Sequence, residues 1–149
     1  MNELVFLMGV YEAKLPVDRK YCTNHMWAEP RGDVYRFGFS AYAVRLLQDV
    51  YFLEWQVDEQ ATIRVRQTIG FIESKKAESD LYAPAAGELT CFNATLLDDP
   101  SAINVDKYGA GWLFEMRTAG DGFLSPDEYL VHLASVWEVT QRTIKGQLN

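Results

Sequence analysis

Two adjacent lysines, Lys75 and Lys76, stand in the polar stretch Glu73-Ser74-Lys75-Lys76-Ala77-Glu78-Ser79-Asp80, between two apolar, strand-like runs. A lysine at a hairpin tip projects its amine into water, away from the backbone. An enzyme can enclose it there, and a group joined to it can swing widely. Acylation would also remove its charge. The same pair can instead be two solvated surface charges, which is the commoner fate of lysines in a turn. His25 is a second side chain with chemistry, because imidazole hydrogen-bonds and exchanges protons near neutral pH. It can also be a hydrogen-bonded strand histidine. His132 has no sequence neighbours that point to metal binding or catalysis, and two histidines without His-Cys-carboxylate spacing make a poor metal site. A Gly-x-Ser-x-Gly elbow, a P-loop and a dinucleotide fingerprint are all missing from the sequence, which argues against an autonomous enzyme.

The elements that must position the lysines read as strands. Val34 to Phe39, Val50 to Trp55, Thr62 to Ile72 and Gly111 to Met116 are short runs rich in β-branched and aromatic residues, separated by turn signals. This spacing predicts an all-β sandwich or barrel. Pro30-Arg31-Gly32-Asp33 and Pro84-Ala85-Ala86-Gly87 read as hairpin turns, and Asp98 to Ser101 as a turn or half-helix. Ser40 is placed to cap a short helix carrying Tyr42, Ala43, Leu46 and Leu47. From Ser125 the period turns helical. Pro126 suits a first turn, Glu128 completes a capping box, and Tyr129, Leu130, Leu133, Val136, Trp137, Thr140 and Ile144 recur at threes and fours.

Composition sets the outer limits. A chain of 149 residues with 48% hydrophobic content is one domain that can bury a core without metal or disulfide staples. Cys22 and Cys91 lie in apolar surroundings and read as free thiols in a reducing compartment. The short apolar run Leu4 to Val10 lacks a basic segment before it and is too short to span a membrane, so a cytoplasmic protein is expected. A net charge of −7 argues against nucleic acid and suits docking on basic protein surfaces.

Reading outward from Lys76, the chain resembles the H protein of the glycine cleavage system. Glu73, Ser74, Lys76 and Ala77, then Ser79, Asp80, Tyr82, Pro84 and Gly87, are similar to that family's Glu-Ser-Val-Lys-Ala, Ser-Asp and Tyr-x-Pro-x-x-Gly segments. The likeness continues in Asn93, Leu97, Asp99-Pro100, Asn104 and the run Asp106 to Leu113. Upstream it includes Tyr21, Thr23, His25 and Trp27, then Gly38 to Ala43, Leu47 and Asp49. Roughly residues 20 to 130 are covered, with several motifs in the right order.

The resemblance implies a mainly β, barrel-sandwich hybrid fold of the lipoyl/biotinyl-carrier type, here with a short internal helix and a C-terminal helix. It divides the chain into an N-terminal extension (1–19), a lipoyl-carrier domain (20–124) and a C-terminal helix packed on that domain (125–149). It implies lipoate attached covalently at Lys76, the lipoyl disulfide accepting a reduced carbon unit made by partner enzymes. The implied partners are glycine decarboxylase, the aminomethyltransferase, dihydrolipoyl dehydrogenase, and a lipoate ligase or lipoyl/octanoyl transferase. Spacing alone fits lipoyl or biotinyl attachment, and the lack of a Met-Lys-Met tip favours lipoyl. Glu73, Ser74 and Asp80 fall around the acceptor, where the acids are either recognition marks for the acylating enzyme or charges that keep a strand edge soluble. His25 falls near the groove that shelters the loaded arm. A monomer is expected.

Some positions depart from the family pattern. Lys75 stands beside the acceptor in place of an apolar residue, Met26 in place of Glu, Gln48 in place of Gly, and Lys107 in place of Pro. These changes are expected on loops and rims, which select partners more than they set the fold. An H-like lipoate-binding protein of sulfur oxidation, working with a heterodisulfide-reductase-like complex, is therefore an alternative. An unmodified interaction protein that keeps the fold is another.

Overall fold

Alternating apolar positions give most strands one buried face, and these faces meet in a sandwich. The computed structural model describes residues 2–148, with side chains described through residue 141. The larger sheet is formed by β3 (Lys20–Tyr21), β4 (Met26–Arg31), β5 (Val34–Phe39), β11 (Phe114–Arg117), β10 (Gly87–Phe92) and β7 (Thr62–Ile63), hydrogen-bonded in that order. The smaller contains β6 (Val50–Trp55), β8 (Thr68–Ser74) and β9 (Glu78–Tyr82), with β8 in the centre. All these pairings are antiparallel. Phe37, Phe114, Met116, Leu89 and Ile63 from one sheet pack with Leu53, Ile69, Ile72 and Leu81 from the other. This is the mainly β carrier fold that the residues led us to expect.

Several expectations hold closely. Strands β5 and β6 have the anticipated limits. Gly32-Asp33 turns β4 into β5, with Gly32 at φ +63°, a conformation glycine adopts without steric cost. Ser40 caps α1 (Ala41–Leu47), its side chain accepting the Ala43 N–H. At the start of α4 (Pro126–Leu148), the Ser125 hydroxyl accepts the Glu128 N–H at 3.1 Å while Glu128 accepts the Ser125 N–H at 2.8 Å. That is the reciprocal pair of a capping box. Of the helical stripe, the Ile144 side chain lies outside the described residues.

Other expectations need correcting. Thr62 to Ile72 is not one strand: a turn at Arg64 to Gln67 separates β7 in the large sheet from β8 in the small one. Arg66 has φ +65°, which an extended strand does not allow. Pro84 to Gly87 joins two different sheets rather than the arms of a hairpin. Gly111 ends a turn in which it lies close against the Ala102 carbonyl, Trp112 and Leu113 are irregular, and β11 begins only at Phe114. Two further short helices, α2 (Ala94–Asp98, capped by Asn93) and α3 (Ala102–Val105), flank the Asp99-Pro100 turn.

The first residues form a hairpin that the sequence reading did not assign: β1 (Glu3–Met8) and β2 (Tyr11–Pro16), joined through Gly9-Val10. It builds a second core with α1 and α4. Met8, Ala13 and Leu15 pack with Tyr42, Trp27, Tyr129 and Leu133, and Phe6 meets Tyr42 and Trp137 edge-on. Leu15 is fully buried, so Leu15→Ala should cost about 2–5 kcal/mol, read as a lower urea midpoint. A change below about 0.5 kcal/mol, typical of a surface site, would show that the hairpin is only loosely applied.

Candidate functional site

Lys75, Lys76 and Ala77 form the turn between β8 and β9, and Glu73 and Glu78 are the last paired residues before it. Ser74 shapes the turn from below. It is buried, its hydroxyl donates to the Ala77 carbonyl and accepts the Ala77 N–H, both at 3.1 Å, and its own N–H reaches the Ala77 carbonyl at 2.8 Å. Both lysines are exposed. Their backbone is nevertheless tied to the body: Lys75 N–H donates to the Asp49 carbonyl at 2.8 Å and Lys76 N–H to the Leu47 carbonyl at 3.3 Å. The lysine side chains are therefore free while the backbone that carries them is fixed.

The segment that accepts these bonds is itself clamped. Asn104, on α3, donates through Nδ2 to the Gln48 carbonyl at 2.6 Å and accepts the Val50 N–H at 2.9 Å. Gln48 lies at φ +59°, ψ −141°, a region that a residue with a Cβ rarely enters. The backbone turns sharply there so that the carbonyls of Leu47 and Asp49 face the lysine turn. A glycine suits that backbone, and this chain places glutamine there.

Beside the turn lies a hollow of about 320 Å³. Its lining includes Ala77 from the turn, Met26 and Phe39 from the large sheet, Leu46 and Leu47 from α1, and Ile72 from β8. It also includes Asn24, His25, Ser79 and Tyr82. A hollow so lined takes apolar matter such as an alkyl chain out of water.

His25 borders this hollow from a turn, at φ +72°, immediately before β4. It is not a strand histidine. Its backbone N–H donates to the Cys22 carbonyl at 2.9 Å and its carbonyl accepts the Ser40 N–H at 3.0 Å. Nδ1 lies 3.0 Å from the Tyr129 hydroxyl, which is 2.8 Å from Ser40 Oγ, so the ring joins a buried polar chain reaching α4. His132 is not isolated either, since its ring lies 5.8 Å from that of His25 and stacks near Tyr129. Burial, assisted by the His132 imidazole, pushes His25 from its ordinary value down to about 4. The imidazole is neutral at physiological pH and acts there as a hydrogen-bonding wall residue.

Of the sequence-derived residues, the turn gathers Lys76, Ser74 and Glu73, with Asp80 exposed two residues further along β9. His25 stands across the hollow, on a different element. Met26 is not a rim residue. It is 2% exposed and belongs to the main core. Sequence reasoning did not single out the carbonyls of Leu47 and Asp49 or the clamp by Asn104, because backbone acceptors leave no residue-type signal. Asn104 and Gln48 were visible only as positions within the family likeness. Cys22 and Cys91 are free thiols, Cys22 buried and pushed up to about 12 by that burial.

An exposed amine on a clamped β-turn, beside an apolar hollow in a two-sheet scaffold, is the architecture of a carrier protein, with the bond-making left to other proteins. The glycine cleavage H-protein family model matches residues 19–142. A probable glycine cleavage system H protein of Natronomonas pharaonis is 41% identical over 124 residues, covering 80% of this chain and 97% of that one. The glycine cleavage system H protein of Methylacidiphilum infernorum is 39% identical over 115 residues, covering 76% and 84% of the two chains. The crystal structure of a glycine cleavage system H protein from Mycobacterium marinum superposes with a TM-score of 0.69 at 35% identity, covering 77% of this chain and 95% of that one. The chain belongs to the glycine cleavage H-protein family, and the hairpin β1–β2 lies outside the family match.

Two measurements test this geometry. Gln48→Gly should raise stability by about 1 kcal/mol in urea unfolding, because it relieves a positive-φ strain; a loss of stability would show that the glutamine side chain is needed. The His25 prediction concerns pH. The unfolded chain protonates His25 near about 6.5, and the folded chain only near 4. The folded state is therefore fully favoured above pH 6.5 and loses stability as pH falls towards 4, by up to about 1.4 kcal/mol per pH unit. His25→Asn, whose side chain tolerates positive φ, should flatten that part of the profile. Parallel profiles for the two proteins would refute the assignment.

Proposed function

We propose that this chain is the lipoyl carrier of a glycine cleavage system, with lipoate in amide linkage to Lys76. It shuttles the aminomethyl group from glycine decarboxylase to the aminomethyltransferase, and dihydrolipoyl dehydrogenase restores the arm. A lipoate ligase or a lipoyl/octanoyl transferase supplies it. The observation that carries this reading is the Lys76 turn, which offers an exposed amine on a backbone held by the Leu47 and Asp49 carbonyls. Family membership supports the system it serves.

When bound, lipoate supplies a disulfide that accepts a carbon unit and two electrons. The chain's own residues do the rest. Ser74 sets the turn that aims the lysine, and Glu73 and Asp80 display carboxylates to the acylating enzyme. The hollow under Ala77 and Leu47 fits the apolar part of the arm, and neutral His25 closes one side of it. In this reading residues 20–124 are the carrier domain, 1–19 an extension and 125–149 a helix packed on it. The protein works as a cytoplasmic monomer. No helix of the described residues is long and apolar enough to cross a membrane.

The test is peptide mapping by mass after incubation with lipoate, ATP and a lipoate ligase. A lipoyl adduct is expected on Lys76 in the wild type and in Lys75→Arg, and none in Lys76→Arg. The Lys76→Arg protein should keep its stability within about 0.5 kcal/mol, as at other exposed sites. An adduct on Lys75 would move the site, and no adduct on folded protein would sink the carrier reading.

A further inference from the structure

The small sheet that carries the lysine turn has two faces, and only one of them is used by the core. Residues directly opposite one another in antiparallel strands share a face. Phe52 pairs with Glu73, which pairs with Glu78; Glu54 pairs with Phe71, which pairs with Asp80. The outer face is thus two rows across three strands, each holding one phenylalanine and two carboxylates. The two rings meet edge to face, 6.4 Å apart. Tyr82 extends the same face along β9, and a bulge between Val50 and Phe52 turns Tyr51 out beside it. Tyr51, Phe52 and Tyr82, 59%, 39% and 46% exposed, are the exposed aromatic side chains among the described residues. All three belong to the arm-bearing sheet.

None of the four acids on this face has a cation of the described residues within ion-pair distance, so their charge is not offset locally. Exposed aromatic rings surrounded by uncompensated charge of one sign have the composition of an interface centre with a polar rim. The charge also rules on the occupant. Nucleic acid is repelled, and a second copy of this face would set four carboxylates against four more.

We propose that this outer face is the docking surface for the enzyme that acylates Lys76, a partner presenting lysines and arginines around an apolar socket. The proposal rests on the Lys76 carrier reading above. Before acylation there is no arm for a partner's channel to grip, so recognition must come from the protein surface. The Glu73–Glu78 pair, the last before the turn, places this face directly against the tip. Phe52 and Phe71 anchor the contact, and the carboxylates steer and orient it. Glu73 and Asp80 then act as members of a continuous surface with Glu54 and Glu78, rather than as two separate marks.

The test separates docking from acylation. Binding of a purified lipoate–protein ligase is titrated with Lys76→Arg protein, which cannot accept the acyl group, and then with Lys76→Arg carrying Phe52→Ser or Glu54→Lys. A distant charge reversal, Asp121→Lys, serves as the control, and circular dichroism checks each fold. The expected result is salt-sensitive binding by Lys76→Arg, a loss of about tenfold or more in each face variant, and no change in the control. In proteins that retain Lys76, Glu54→Lys should raise the KM for acylation with kcat unchanged. Undiminished binding in both face variants, or no binding by Lys76→Arg itself, would overturn the docking surface. Absence of any lipoyl adduct on wild-type Lys76 despite ligase binding would instead overturn the carrier reading.

Discussion

Two backbone hydrogen bonds at the lysine turn decide what the rest of the structure is for. An acceptor lysine needs a mobile side chain and an immobile base. Exposure alone gives the first and would also let the hairpin tip fray. The amides of Lys75 and Lys76 prevent this by donating to the carbonyls of Asp49 and Leu47. Those carbonyls face the turn because the backbone bends at Gln48 and because Asn104 holds both sides of the bend. Asn104 reaches them from α3, whose position depends on the Asp99-Pro100 turn and on Gly111 lying close to Ala102. Residues far apart in sequence thus converge on one rigid mount.

The mount also explains why the fold needs two sheets of unequal size. The small sheet projects the lysine, while the large sheet and α1 supply the wall of the hollow next to it. His25 links that wall to the C-terminal helix through Tyr129 and Ser40, a chain of polar contacts inside an otherwise apolar region. Buried polar chains of this kind fix one arrangement among many similar packings, since each group left unpaired would be costly.

Much of this was readable from residue types. The runs Val34 to Phe39 and Val50 to Trp55, the Ser40 cap, the Ser125–Glu128 box and the Gly32 turn all follow from local rules, and the structure keeps them. The lysine turn was legible because its polar residues interrupt two apolar runs. What escaped was non-local or made of backbone. Thr62 to Ile72 reads as one strand because periodicity cannot show that the chain changes sheets at Arg66. His25 reads as a strand residue because a positive φ on histidine has no pattern in sequence. Met26 was taken for a rim residue because it stands where the family has Glu and such departures are expected on rims, whereas it packs in the main core beside Phe39 and Ile72. The N-terminal hairpin escaped because part of its apolar cover lies more than a hundred residues away, on α4, where local patterning cannot show it.

That last distance has a kinetic meaning. β1 and β2 close on α4, more than a hundred residues further along the chain, and contacts of that span are slow to form because a large loop must be closed first. Met8 and Leu15 can gain part of their cover early, from Trp27 and Tyr42, but the part on Tyr129 and Leu133 comes only when that large loop has closed. The strands of the two-sheet sandwich lie between those partners in sequence and close through shorter loops. Until the large loop closes, the apolar face of the β1–β2 hairpin lacks its cover on α4, and that is when it is most open to aggregation.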